Sequence, residues 1–253
     1  MKILIIGETC RDEFVYGCCD RLCPEAPVPV FSPKNTQTNL GMANNVLQNV
    51  SNIFKYLSID CQIDFISNNP QGSKMRYIDS TSNQMMLRID TDSYAPIDQS
   101  ILHDTNFDQY DAVIVSDYDK NFLSDLDLEY IARKSRLSFL DTKKDANINW
   151  MLLFDFIKIN EKEYTENKFI DLHAACWHNT IITMASNGCR FKDQQYPLKQ
   201  QVQVRDVTGA GDTFLAAFAA HFLAYKDDQS AIAFAQDCCS IVVQKKGVAV
   251  PFE

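Results

Sequence analysis

The clearest chemistry in the chain lies at residues 204–213, Val204-Arg205-Asp206-Val207-Thr208-Gly209-Ala210-Gly211-Asp212-Thr213. Gly209 and Gly211 carry no Cβ, so the backbone can turn sharply and let a ligand approach its amides. The run that follows, 214–225, is mostly good helix formers and contains no Gly or Pro. A helix opening from such a turn presents unpaired N–H groups, and its dipole adds about half a positive charge there. Together these make an anion site, for which phosphate is the usual guest. Asp212 sits beside that site and has two readings. Asp is a common helix cap, yet a cap alone does not require two glycines immediately before it. Chemistry at the carboxylate is the reading carried forward.

The elements around it read as follows. Residues 2–6 form a short apolar run ending at Gly7, as expected for a buried parallel strand. Asp12 falls just past the carboxyl end of that strand, where open α/β sheets bind ligands; a solvated loop acid is the alternative. Pro24, Pro27 and Pro29 forbid a central strand and suit an edge strand or an extended flap. Gly41 opens a turn into a helix expected to reach Tyr56. Asn44 and Asn45 near its start suit hydrogen bonds to a polyol, or equally capping or surface positions. Residues 59–67 suggest a strand and 68–72 a turn. Residues 75–78 and 85–90 suggest a hairpin that completes a small sheet with 13–31. From Asp111 onward, strands over 112–116, 138–140, 156–159 and 180–183 alternate with other segments, including a helix over 126–134. Polar residues end each strand, so a doubly wound parallel sheet carries its site along one edge.

Length and composition bound the function. A chain of 253 residues suits one large domain, with or without a small appendage. The net charge of −9 argues against general nucleic-acid or anionic-membrane binding. No apolar run reaches about 18 residues and no signal-peptide layout opens the chain, so the cytoplasm is the expected location. Nine cysteines include Cys18, Cys19 and Cys23, but no Cys-x-x-Cys pair or nearby His completes a zinc-like set. Cys238 and Cys239 sit in an apolar stretch expected to be helical. Reduced thiols that serve as small hydrophobic filler are expected throughout.

Taken together, the motifs resemble the ribokinase-like (PfkB) carbohydrate kinases. The carboxyl-terminal signature matches at 206–213, an Asn-x-x-Glu motif at Asn160 and Glu163, and a first-strand Gly-x-x-x-x-Asp at Gly7 and Asp12. A glycine-rich sugar turn matches at 41–45. Within the family, the chain is most similar to the heptose 7-phosphate kinase domain of bifunctional ADP-heptose synthases. That narrower likeness rests on Tyr16-Gly17, the segment 24–30, Leu87-Arg88-Ile89-Asp90, Ser116-Asp117-Tyr118 with Lys120, and Asp141 with Lys143.

The resemblance implies an α/β fold: a ribokinase-like, doubly wound, mainly parallel sheet flanked by helices, with a small β-lid. One kinase domain over 1–253 is expected, its lid formed by about 13–35 and 73–92. Asp212 is the implied base, and Gly209, Ala210 and Gly211 supply amides to the transferred phosphoryl group. Asp12, Gly41 and Asn45 would hold the sugar. Arg76, Arg88, Lys120 and Lys143 are candidates for a phosphate already on it, each with a surface role as the alternative. Asn160, Thr183, Gly188, Thr208 and Gly247 would contact ATP, with 236–247 framing the nucleotide. Asn160 and Glu163 would organise Mg²⁺ through water, and a monovalent cation near Asp206 is left open. The implied acceptor is D-glycero-D-manno-heptose 7-phosphate at O1; the alternatives are another sugar, or a catalytically weak sugar-phosphate-binding regulator. A homodimer through the lid is the implied assembly, with no nucleic-acid or membrane partner. Three departures stand out. Met42 replaces the second glycine of the sugar turn, the 50–75 stretch is short, and no adenylyltransferase domain follows Val250-Pro251, so a stand-alone kinase domain is expected.

Overall fold

The computed structural model describes residues 1–68, 72–167 and 178–252. Residues 69–71 of the turn expected over 68–72 lie outside them. β1 (Lys2–Gly7) pairs in parallel with β4 (Gln62–Ile66) on one side and β7 (Ala112–Asp117) on the other. β8 (Ser138–Thr142), β9 (Phe156–Asn160) and β10 (Thr180–Thr183) follow in parallel. An antiparallel hairpin, β11 (Cys189–Phe191) and β12 (Gln194–Tyr196), completes eight strands in the order β12-β11-β10-β9-β8-β7-β1-β4. The strands expected from the apolar runs are all present; the β11–β12 hairpin had no sequence signal.

Strand alternation sorts the core into two layers. Ile3, Ile5, Ile114 and Phe139 face one side, where they meet α1 (Ala43–Tyr56), α6 (Ala210–Tyr225) and α7 (Asp228–Val242). Leu4, Ile6, Val113 and Leu140 face the other, against α2 (Gln99–Asp104), α3 (Asp125–Lys134) and α4 (Ile148–Met151). α6 is apolar all round, as befits a helix buried on every side. Its Phe218 and Phe222 rings lie 4.9 and 4.6 Å from Phe156, edge-on. Phe218 is fully buried and stabilises by roughly 1.5–3 kcal/mol, while half-buried Phe156 and Phe222 contribute less. This packing fixes α6 against the sheet, and so fixes its first turn at the carboxyl edge. Among the described residues no helix is long and apolar enough to cross a membrane.

A second sheet of four strands has the order β3-β2-β5-β6. β2 (Thr9–Leu22) pairs antiparallel with β3 (Pro29–Met42) and parallel with β5 (Ser73–Asp79), which forms the expected hairpin with β6 (Met85–Thr91). β3 lies at the edge, as its prolines require. The sheet reaches further toward the core than 13–35, starting at Thr9 and ending at Met42. At its root Arg76 Nη1 meets Asp12 Oδ1 at 2.8 Å, with both residues buried. The guanidinium lies 4.9 Å from the Phe14 ring centroid.

Candidate active site

Gly209 precedes the first turn of α6 with φ 78°, in the left-handed region that favours glycine. A Cβ there would also collide with Asn45 Nδ2. Gly209 holds the N-cap position without any side-chain cap, and Asp212 lies in the first turn. Capping is therefore not what Asp212 does. Its carboxylate is buried, 4% exposed, and held by two donors. Tyr118 Oη donates to Oδ1 at 2.7 Å and Asn45 Nδ2 donates to Oδ2 at 2.8 Å. Burial pushes the Asp212 pKa up to about 6; the Asn45 and Tyr118 hydrogen bonds oppose this, nearby Asp141 adds to it and Lys158 opposes it. Such a carboxylate is ionised at neutral pH yet more basic than an exposed one, as a general base requires.

The two donors are themselves held. Asn49 Nδ2 donates to Asn45 Oδ1 at 2.9 Å, and Thr213 Oγ1 donates to Asn49 Oδ1 at 3.1 Å. Asn45 Oδ1 is thus an acceptor, which leaves Nδ2 for the carboxylate. Asn44 Nδ2 instead donates to the Leu40 carbonyl at 3.1 Å. Neither caps α1; Met42 occupies its N-cap at φ 60°, ψ −129°, with no side-chain cap hydrogen bond. Tyr118 follows β7 in a loop pinned by buried Glu8, whose Oε2 and Oε1 accept the Tyr118 and Lys120 amides at 2.8 and 3.0 Å.

Removing the Tyr118 hydroxyl should move the base. A hydrogen bond to the ionised carboxylate favours ionisation, so Tyr118→Phe should raise the Asp212 pKa above about 6. With Asp212 as proton acceptor, activity would fall as it protonates, and the acid limb of kcat/KM should shift to higher pH in the variant. A pH–rate profile checks this, and an unmoved limb would remove Tyr118 from that role.

Beside Asp212 a cleft of about 590 Å³ opens between the carboxyl ends of β8, β9 and β10, the start of α6, and α7. Ion pairs alternate in sign along it. Lys158 Nζ meets Asp141 Oδ2 at 2.8 Å, and Lys143 Nζ meets Asp141 Oδ1 at 3.4 Å and Glu163 Oε1 at 2.5 Å. Burial alone would raise the Asp141 pKa, but the two ammonium groups outweigh it and hold the carboxyl below its ordinary value. Lys143 shows the mirror image: burial would lower it, while Asp141 and Glu163 raise it. Asn160 and Glu163 form a reciprocal capping box at the start of α5 (Glu161–Glu166). Their amide and carboxylate oxygens are the hard donors Mg²⁺ accepts while keeping its waters. Asn160 Oδ1 and Glu163 Oε2 also accept the amides of the box and Glu163 Oε1 faces Lys143, so a magnesium ion would meet these oxygens only through its waters.

Lys143, Asn160, Thr183, Gly188, Gly209, Ala210, Gly211 and Asp212 line this cleft. Ala210 N–H donates to the Val207 carbonyl at 3.1 Å and Thr213 N–H to the Gly209 carbonyl at 2.9 Å, which leaves the Gly211 and Asp212 amides between them in the open first turn. Of the expected amide donors, Ala210 is thus already engaged. Thr208 and Gly247 donate their amides to the two oxygens of Asp206, at 2.9 Å each, and so stitch the preceding loop to the segment after α7. Asp12 and Gly41 lie at the root of the second sheet with Arg76; a Cβ on Gly41 would strike the Asp12 carboxylate. Arg88 pairs with Asp90 at 2.7 Å and Lys120 with Asp92 at 3.0 Å, both at exposed positions away from the cleft lining. Sequence reasoning gave no role to Tyr118, Asp141 or Lys158. A usable signal was present: a lysine inside the apolar 156–159 strand needs an acid on a neighbouring strand end.

A mainly parallel sheet with a buried carboxylate at a glycine-opened helix is the arrangement of the ribokinase fold. Residues 50–253 match the family model of the pfkB family carbohydrate kinases, and the chain belongs to that family, phosphotransferases with an alcohol group as acceptor. Among curated proteins, it is 31% identical over 300 aligned residues to bifunctional protein HldE of Helicobacter hepaticus, covering 98% of this chain and 61% of that protein. HldE of Nitratiruptor sp. is 30% identical, covering 98% and 62%. The chain therefore spans less than two thirds of the length of these relatives. The fold is similar to the ribokinase of Thermotoga maritima, with TM-score 0.73 at 16% identity over 97% of this chain and 94% of that one. It is also similar to an Arabidopsis thaliana ribokinase complexed with ribose and ATP, with TM-score 0.68 at 18% identity over 97% and 93%.

Proposed function

We propose that the protein transfers the γ-phosphate of ATP to a hydroxyl of a sugar or sugar phosphate, with Asp212 as the base. The observation that carries this reading is the Asp212 carboxylate, buried between two fixed donors at an open helix turn with its pKa raised to about 6. The acceptor hydroxyl gives its proton to Asp212 as its oxygen bonds to the γ-phosphorus, and the bond to the β-phosphate oxygen breaks to release ADP. Asn45 and Tyr118 keep the carboxylate oriented. The Gly211 and Asp212 amides face the charge on the phosphoryl oxygens. The nucleotide lies along Thr183 and Gly188 on one wall and α7 on the other. Asn160 and Glu163 would hold Mg²⁺ through water, and the ion would supply positive charge against the phosphates. Asp12, at the lid root, takes a sugar hydroxyl.

The sharpest acceptor is D-glycero-D-manno-heptose 7-phosphate at O1, supported by likeness to HldE proteins over 98% of the chain. One observation favours a different sugar lacking a phosphate. Arg76, Arg88 and Lys120, the lid-side cations nominated for that group, each already face a carboxylate. ADP release measured with a panel of sugars and sugar phosphates separates the readings. Turnover confined to the heptose phosphate supports the first, turnover on a neutral sugar supports the second, and tight sugar-phosphate binding without turnover makes the chain a regulator. A second copy of the chain is the partner proposed for the lid, because edge strand β6 exposes Met85, Met86, Leu87 and Ile89. Sedimentation velocity reads that association, and a monomer at every concentration would refute it. The cytoplasm is the proposed location, where ATP is supplied; fractionation of cells checks it.

A further inference from the structure

Met42 carries a long side chain on a backbone at φ 60°, ψ −129°. Glycine takes such a conformation freely, whereas any residue with a Cβ is strained in it. Strain kept at one position points to a use for the side chain it carries. The methionine is 3% exposed, yet it belongs to neither apolar layer of the core. Its place in the chain says what it is buried against. Before it stands Gly41, whose missing Cβ leaves room for the Asp12 carboxylate. Three residues after it stands Asn45, which donates to Asp212. Met42 thus lies between the acid at the root of the second sheet and the buried carboxylate of α6.

Its side chain meets Tyr94, in the extended stretch between β6 and α2, where Tyr94 Oη donates to Met42 Sδ at 3.7 Å. Sulfur is a weak acceptor, and other contacts hold the ring. It lies over Gly72, where a Cβ would stand 2.6 Å from it. Asp92, two residues before, pairs with Lys120 at 3.0 Å, and the Lys120 amide is held by Glu8 together with that of Tyr118. Burial pushes the Tyr94 phenol up, and Cys10, Asp92, Glu8 and Asp12 add to the rise. Burial does the same to Tyr118, with Asp212, Asp141 and again Cys10 adding. Tyr94 therefore shares its surroundings with Asp12 on one side and with the tyrosine that holds Asp212 on the other. Met42, Tyr94 and Asp12 do not line the 590 Å³ cleft, so what they enclose is separate from it.

We infer that Met42 and Tyr94 are specificity-determining residues for the acceptor: their joined side chains wall the span between Asp12 and Asp212 and limit the length of sugar that fits there. The inference rests on the kinase reading above and adds what selects its substrate. A thioether offers a sugar hydroxyl no strong partner. Each hydroxyl-bearing carbon added toward the wall therefore loses room and hydration together.

The test is ADP release, with ATP and Mg²⁺, on sugars that lengthen one carbon at a time: D-ribose, D-mannose and D-glycero-D-manno-heptose, with the heptose 7-phosphate alongside. Met42→Gly suits the backbone already present and opens the wall. It should raise kcat/KM for the longer sugars relative to ribose on the order of 10- to 200-fold, the range for one carbon in a shaped pocket, and chiefly through KM. Tyr94→Ala leaves residue 42 alone and should move the ratio the same way. ADP affinity, read by calorimetry, should stay at the wild-type value in both. A ratio unchanged or lowered in the folded variants overturns the assignment and leaves the kinase reading intact, and so does a ratio that moves only with a loss of ADP affinity. Loss of folding in both variants makes the pair part of the fold and likewise overturns it. Turnover of no sugar by the wild type or by either variant removes the kinase reading itself, and the assignment with it.

Discussion

Asp212→Asn should lower kcat on the order of 10²- to 10⁴-fold, the range for loss of a general base, while nucleotide binding changes little. The substitution keeps the shape and removes the proton acceptor. Its cost to the fold is small because two effects of like size oppose each other. Asn45 cannot reverse its amide, since Asn49 donates to its oxygen, so the new amide turns its oxygen to Asn45 and its NH₂ to Tyr118 Oη, which then accepts instead of donating. Exchanging two charge-assisted bonds for neutral ones costs about 1–3 kcal/mol. Against it stands relief of a buried carboxylate. A folded-state pKa raised to about 6 contributes stability below the unfolded value near 4, and that contribution is lost as pH rises through 6. At pH 7 the wild type therefore carries a penalty on the order of 3 kcal/mol that the asparagine does not. Steady-state rates with urea unfolding at pH 7 check both halves. A rate within threefold of wild type would end the assignment of Asp212 as base, and a large loss of stability would assign the rate effect to unfolding.

Arg76→Met should destabilise the protein by about 3–5 kcal/mol, the usual result of stripping one partner from a buried pair. Asp12 is 4% exposed and Arg76 6%, so water cannot replace the guanidinium. The pair joins β2 to β5, which makes it a polar clamp at the root of the second sheet. Adding Asp12→Asn to the same chain removes the orphaned charge and should restore most of the stability. Denaturant titrations of the two single variants and the double close the cycle. A double variant as unstable as Arg76→Met alone would show that packing of the arginine stem on Phe14, and not charge, sets the cost.

The apolar runs at 2–6, 112–116, 138–140, 156–159 and 180–183 were legible because a buried parallel strand needs little more than continuous β-branched and aromatic residues. The glycine pair at 209 and 211 was legible because its backbone demand is local. What was hidden depends on contacts between distant residues. Tyr118 and Asp212 are 94 residues apart, and Asp12 and Arg76 are 64 apart. Spacing therefore could not show that Asn45 is committed to the carboxylate, or that Arg76 and Lys120 meet acids 64 and 28 residues away. Arg88 and Lys143 differ: each has an acid two residues off, Asp90 and Asp141, and those pairs were within reach of the sequence. Lys158 was passed over because one lysine within an apolar strand reads as a face residue until the register with Asp141 is known.

Glu8 lies between β1 and β2 and touches three parts of the molecule at once. Its carboxylate takes the amides of Tyr118 and Lys120, and its carbonyl takes the Ala43 amide at the start of α1. The second sheet thus leaves the core through a rigid joint, with the tyrosine loop bolted to the same residue. A displacement of that sheet that moved Glu8 would also move Tyr118 and turn its hydroxyl off Asp212, whereas a bend beyond Thr9, along β2, would leave the carboxylate held.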